Sequence, residues 1–134
     1  MKIISSFFLL FISFGLVAIE PGDRVENFRL IDQKGNSHEL FYFNDQKALV
    51  FLVQGNGCPI ARNAAPRFQE LRDFYSDKDV EFFMLNSNLQ DDRLSISEEA
   101  KEYGYDLRIL IDETQIIGES LKLSRTGEVF VIDP

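Results

Sequence analysis

Six consecutive apolar residues, Ala48 to Val53, run into Gln54-Gly55-Asn56-Gly57, then Cys58-Pro59, then small and apolar residues at helical spacing. A run this short and this rich in strand-forming residues fits a strand buried on both faces, as in the middle of a largely parallel sheet. The glycine-rich segment reads as a turn. Ala61, Ala64, Ala65, Phe68, Leu71 and Tyr75 follow with the period of a helix. Pro59 suits the first helical position, where the N–H it lacks would have no partner anyway. A buried strand, a tight turn and a helix in that order call for a layered fold with a sheet between helices.

The remaining segments extend this pattern. The stretch Glu26 to Phe43 holds two short alternating runs around Gln33-Lys34-Gly35-Asn36 and predicts a hairpin. Val80 to Asn86 predicts a second strand after a turn at Ser76 to Asp79. Ser95 and Glu98 form a capping-box pattern ahead of a helix with Ile96, Ala100 and Tyr103 on one face and Gly104 as its stop. Asp106 to Asp112 is the next strand, Asp112 is placed to cap a helix running to about Lys122, and Glu128 to Asp133 is the last strand. The fold class is α/β, three layers about a mostly parallel sheet with an N-terminal hairpin. Such a sheet ordinarily closes with one more strand and a helix, so a truncated domain is expected over residues 21–134.

The first residues differ from the rest. Lys2 and the amino terminus precede an uncharged run from Ile3 to Ile19. Secretory cores are about 7 to 15 residues long and spanning helices about 20, and this run lies between. Residues 1–20 are expected to be a signal peptide or an N-terminal membrane anchor acting through residues 3–19. A buried N-terminal helix is the third reading. Cleavage after Ala18 would leave Leu16 where a small residue is usual. Either leading reading makes the domain exported, periplasmic or secreted.

The net charge of −8, from 22 acidic and 14 basic residues, repels phosphate backbones and anionic lipid surfaces, so no nucleic-acid partner is expected. Thirteen Phe and no Trp give a Phe-dominated interior. The chain has one cysteine, so no disulfide can form within it. Cys58 is a free thiol, an intermolecular partner or an inert small hydrophobe in the core. Its place between the turn and Pro59 puts the sulfur at a helix start, where unpaired N–H groups and the helix dipole favour a thiolate. Arg62, one turn into the helix, and Arg125, before the last strand, are the cations that could add to this. The lone His38 falls in the hairpin, away from any partner for a Cys–His dyad. No metal-ligand spacing surrounds Cys58, and no cofactor is expected.

The hairpin with Asp32-Gln33-Lys34-Gly35-Asn36, the strand Ala48 to Gln54, the segment Cys58 to Pro66, the strand Val80 to Asn86 and the terminal Arg125 to Asp133 together resemble the thioredoxin-like redoxins. The exported domains of the alkyl hydroperoxide reductase and thiol-specific antioxidant family are the nearest in kind. The spacing from Cys58 to Pro66 is the most specific part, since a helix-interior proline is costly and thioredoxin folds kink the active-site helix there. The resemblance implies a thioredoxin-like fold, Cys58 as nucleophile with Arg125 beside it, and substrate contacts at Pro59, Arg62, Thr126 and Gly127. Four positions depart from the families. Ala61 replaces the second cysteine of C-x-x-C, so no resolving thiol exists within the chain. Leu52 stands where thioredoxins keep a buried acid. Gly55 and Phe51 stand where peroxiredoxins have a hydroxyl residue and a proline. Gly127 takes the place of the cis-proline.

These residues predict a thiol-dependent oxidoreductase of antioxidant type. Cys58 would attack a peroxide or a protein disulfide, and an external thiol or thioredoxin-type reductant would resolve the product. Residues favour disulfide chemistry, because the peroxide-orienting hydroxyl is missing at position 55, while the family grouping favours peroxide. The alternative is a non-catalytic thioredoxin-fold module for binding a partner, which Ala61, Leu52 and Gly127 suit. A structural remnant with neither role is the third reading.

Overall fold

The computed structural model describes residues 20–134, and the expected export segment lies outside them except for Glu20. Six strands form one sheet: β1 (Arg29–Asp32), β2 (Ser37–Glu39), β3 (Ala48–Gln54), β4 (Val80–Asn86), β5 (Arg108–Ile111) and β6 (Val129–Ile132). Three helices accompany them: α1 (Pro59–Tyr75), α2 (Arg93–Glu102) and the short α3 (Ile116–Ser120). The strand order is β2-β1-β5-β4-β3-β6. The centre, β5-β4-β3, is parallel, and β1 and β6 pair antiparallel on either side. This is the thioredoxin-like α/β arrangement, with a mixed sheet.

The apolar run of β3 lies inside the sheet, between β4 and β6, and its alternate residues supply two separate cores. Leu52, with Met84 and Ile109, packs against Ala65 and Phe68 of α1 and Ile96 and Ala100 of α2. Leu49 and Phe51, with Phe83, Leu85 and Leu110, meet Phe28 and Leu40, and Ile117 of α3 packs against that second core. The phenylalanine-rich composition is used there: Phe51 stacks between Phe83 and Phe130, with ring centroids 5.3 and 4.8 Å apart. Burying each such ring stabilises the fold by about 1.5–3 kcal/mol before the entropy of ordering it is subtracted. Among the described residues no helix is long and apolar enough to cross a membrane.

Several local expectations are corrected. The second run of the hairpin is strand only from Ser37 to Glu39, then coils into a 3-10 turn over Leu40–Phe43 that buries Leu40. The α2 capping box is one turn earlier than predicted: Asp92 is the N-cap, accepting from the Ser95 N–H, and the Ser95 hydroxyl accepts from the Asp92 N–H. Asp and Ser cap about equally well, and the charged Asp92 oxygen also meets the positive end of the helix dipole. Asp112 does not cap α3 directly. It reaches forward to the Gly118 N–H at 2.8 Å, and α3 ends at Ser120. Tyr75, placed on the buried face of α1 by spacing, is the last residue of the helix and 37% exposed, although its ring still stacks against Phe82 of β4.

At their C-terminal ends the central strands change from apolar to polar. Gln54, Asn86 and Asp112 close β3, β4 and β5, each 1% exposed. Asn86 Nδ2 donates to Gln54 Oε1 at 2.8 Å, so adjacent strands are tied by side chains where their ladder stops. Open α/β sheets bind ligands beyond this edge, and Cys58 follows β3 on the same edge.

Candidate functional site around Cys58

Cys58 is the N-cap of α1, half-buried, with extended backbone angles and Pro59 as the first helical residue. Its own amide donates to the Gly55 carbonyl and its carbonyl accepts from Arg62, so the sulfur is carried by a closed turn. The amides of Ala61 and Ile60 at the helix start favour its charged form, although neither of them closes a cap hydrogen bond to the sulfur. Further along α1, Pro66 interrupts the hydrogen-bond ladder while the helix continues to Tyr75.

The loop before β6 faces the sulfur. Thr126 Oγ1 donates to Cys58 Sγ at 2.8 Å. Two glycines permit this approach. A Cβ at Gly55 would lie 2.7 Å from Thr126 Cγ2, and one at Gly127 would lie 2.6 Å from Ile60 Cγ2. The Thr126 side chain thus fills the room a residue-55 side chain would need, and Ile60 fills the room above position 127. Gly127 also has φ +86°, a region costly to any side chain, and its N–H is taken by the Val53 carbonyl at 2.7 Å.

These contacts decide the state of the thiol. The Thr126 hydroxyl, then the Ala61 amide, hold Cys58 below the ordinary thiol range, with the Ile60 amide adding to them; burial and the Glu99 carboxylate oppose. A thiolate accepts hydrogen bonds more strongly than a thiol, so each donor shifts the balance toward the nucleophile.

The two expected cations occupy different settings. Arg62 is bound by Glu99, through Nη2 at 2.8 Å and Nε at 3.2 Å, and its guanidinium lies 4.0 Å above the Tyr103 ring. Arg125 is 81% exposed and faces Glu128 at 3.7 Å. It lines a cleft of about 430 Å³ with Gln54, Ser87, Asn88, Gln115 and Thr126, of which Thr126 is the residue that also touches the thiol. His38, in the hairpin as expected, is mostly buried, with Nε2 2.8 Å from Asp32 Oδ2.

Sequence reasoning missed the carboxylates that hold the turn. Asp91 Oδ2 accepts from the Asn56 N–H at 2.8 Å, and Glu99 Oε2 accepts from the Gly57 N–H at 2.8 Å. The signal for Glu99 was available: Ile96, Glu99, Ala100 and Tyr103 recur at one helical face, and a glutamate amid apolar neighbours calls for a partner. Thr126 was expected as a substrate contact, whereas its hydroxyl donates to the sulfur itself.

Residues 20–134 match the Redoxin family. The chain belongs to that family. Its redoxin domain is 26% identical over 116 residues to the thiol-disulfide oxidoreductase ResA of Geobacillus kaustophilus (strain HTA426), covering 87% of this chain. The chain spans 65% of the length of that curated relative. An uncharacterized conserved protein from Geobacillus kaustophilus superposes with a TM-score of 0.74 at 26% identity, over 83% of this chain and 62% of that one. A hypothetical protein from Sinorhizobium meliloti 1021 gives 0.73 at 25% identity, over 82% and 63%. The thioredoxin domain of a Bacteroides vulgatus thiol-disulfide oxidoreductase shares the fold, with a TM-score of 0.72 at 17% identity over 84% and 80%. The redoxin family and these relatives agree with the α/β layout expected from the sequence.

Proposed function

We propose that the protein is a single-cysteine thiol-disulfide oxidoreductase, exported through its N-terminal segment, with a redoxin domain over residues 21–134. The observation that carries this is the Thr126 hydroxyl 2.8 Å from a half-buried sulfur at the start of α1. The thiol-disulfide oxidoreductase among its relatives favours a disulfide substrate over a peroxide.

The Cys58 thiolate attacks one sulfur of a protein disulfide. A new S–S bond forms to Cys58, the substrate's S–S bond breaks, and the leaving thiolate takes a proton from water. An external thiol then attacks the Cys58 sulfur of the mixed disulfide, releasing the substrate's second sulfur as a thiol, and a second external thiol attacks the resulting disulfide, joining the two external sulfurs and releasing Cys58 as thiolate. Each exchange moves one electron pair and needs no cofactor. Pro59, Thr126 and Gly127 flank the sulfur on the substrate side and Arg125 stands at the cleft rim, whereas Arg62 acts through Glu99. With a peroxide, the sulfur would take an oxygen to become a sulfenic acid while the O–O bond broke and an alcohol left.

The test is the reaction of the reduced protein with cystine at pH 6, followed by intact mass. A mixed disulfide on Cys58 formed at least tenfold faster than on free cysteine, and released by dithiothreitol, is expected. A rate equal to that of free cysteine would overturn the reading. Selective sulfenic acid formation with hydrogen peroxide, and slow disulfide exchange, would move the protein to peroxide chemistry. A Cys58→Ser protein that keeps full activity would leave the partner-binding module as the better account.

A further inference from the structure

Gly57 adjoins Cys58, and Arg62 lies one turn beyond it in α1, so these two positions bracket the sulfur along the chain. Both are held by the carboxylate of Glu99, which α2 supplies from 37 to 42 residues away. Glu99 is 7% exposed. Its Oε2 accepts from the Gly57 N–H and from Arg62 Nη2, each at 2.8 Å, and its Oε1 accepts from Arg62 Nε at 3.2 Å. Tyr103 covers the guanidinium, limiting the water that could screen the pair.

Glu99 opposes the thiolate, and its ion pair with Arg62 keeps that cation from favouring it. A guanidinium one turn into α1 favours a thiolate, and a carboxylate at the same end of the helix disfavours it. We propose that Glu99 is a positioning residue that restrains the reactivity of Cys58, holding the Gly57 amide in the turn and cancelling the charge of Arg62. This inference rests on the redox reading of Cys58 given above.

Burial opposes the thiolate as well, and more than Glu99 does, but no other charged group acts on the sulfur in this sense. Thr126 and the amides of Ala61 and Ile60 favour the thiolate. Asp91, from the loop before α2, is engaged by Asn56, Asn86 and Asn88. Arg125 is exposed and pairs with Glu128. Tyr105 is pushed up to about 12 by burial and by Glu99, so its hydroxyl, without a partner among the described residues, stays neutral in the working range. The carboxylate therefore pushes upward on two acids, as a minor influence on Cys58, which stays lowered overall, and as the second cause at Tyr105 after burial.

The restraint suits a thiol that lacks an internal resolving partner. An attacking thiol is most effective with its pKa near the ambient pH, and a more acidic sulfur is a weaker nucleophile and a faster leaving group. Cancelling Arg62 keeps Cys58 from becoming so acidic that its mixed disulfides are lost before the reductant arrives.

The experiment is the pH dependence of Cys58 alkylation by iodoacetamide in Glu99→Gln, Arg62→Gln and the unmutated protein. Glutamine can still accept from Gly57 but carries no charge. Glu99→Gln is expected to lower the midpoint by about one pH unit, making alkylation well below that midpoint about tenfold faster. Arg62→Gln is expected to raise it. An unchanged or raised midpoint in Glu99→Gln overturns the proposal. Should a variant fail to fold, the unmutated protein still decides: the Glu99 carboxyl carbon followed by NMR must inflect at the Cys58 midpoint and lose that inflection in Cys58→Ser. Absence of the inflection overturns the proposal as well. The proposed function fails separately, through an ordinary thiol midpoint in the unmutated protein, whatever the variants do.

Discussion

Two buried carboxylates in this protein do different work. Asp32, 1% exposed, closes the hairpin turn that follows β1. It accepts from the N–H groups of Lys34 and Asn36, from the Asn36 amide and from His38, all within six residues of itself. Glu99 has no neighbour in sequence among its partners and ties α2 to the turn that carries the thiol. The first carboxylate builds a local shape, and the second couples two elements across the site. Burial alone does not mark a functional acid. What it holds does.

That contrast yields graded predictions. Asp32→Ala strips partners from two amides and from His38 and is expected to cost about 2–4 kcal/mol, read by urea unfolding, while the alkylation midpoint of Cys58 stays unmoved. A shift of that midpoint would break the distinction between the two acids. The acid limb of stability is the next effect. Burial pushes the Asp32 carboxyl up, but the His38 and Asn36 bonds and the Lys34 amide outweigh it and hold the group below its ordinary value. Its stabilising share is therefore full above the unfolded value of about 3.9 and lost as pH falls through the folded value. Asp32→Asn should flatten that part of an unfolding-versus-pH curve, and an unaltered slope would count against it.

Thr126→Val removes the donor to the sulfur while keeping the shape. The midpoint of Cys58 should rise by about half to one pH unit, with a loss of stability under about 1.5 kcal/mol. That sharpens the comparison, since it separates what Thr126 gives the thiolate from what Glu99 withholds. The smallest effect belongs to Arg67 and Glu70, an ion pair on α1 whose side chains are 74% and 64% exposed. Arg67→Ala is expected to change stability by under about 0.5 kcal/mol and the thiol not at all.

The same contrast explains what the sequence could reveal. Short-range rules located the hairpin turn, the β3 strand, the helix start at Pro59 and the sulfur at its head, because each depends on a few adjacent residues. They misplaced the α2 cap by one turn, since Asp92 and Ser95 form as good a box as Ser95 and Glu98. They ended the hairpin's second strand too late, because Leu40-Phe41-Tyr42-Phe43 is rich in strand-forming aromatic residues but buries Leu40 by coiling. The Thr126 hydroxyl spans 68 residues to reach Cys58. Its approach depends on Gly55 lacking a side chain, a complementarity visible only once β3 and β6 are paired. Arg62 was read as a charge offered to the sulfur, whereas Glu99 takes that charge from the far side of the site.

The central claim is that Cys58 is held toward its thiolate by the Thr126 hydroxyl and the amides at the head of α1. The direct test is the rate of Cys58 alkylation by iodoacetamide across pH in the unmutated, reduced protein. A midpoint clearly below the free-thiol value of about 8.5 is predicted. A midpoint at or above that value would contradict it.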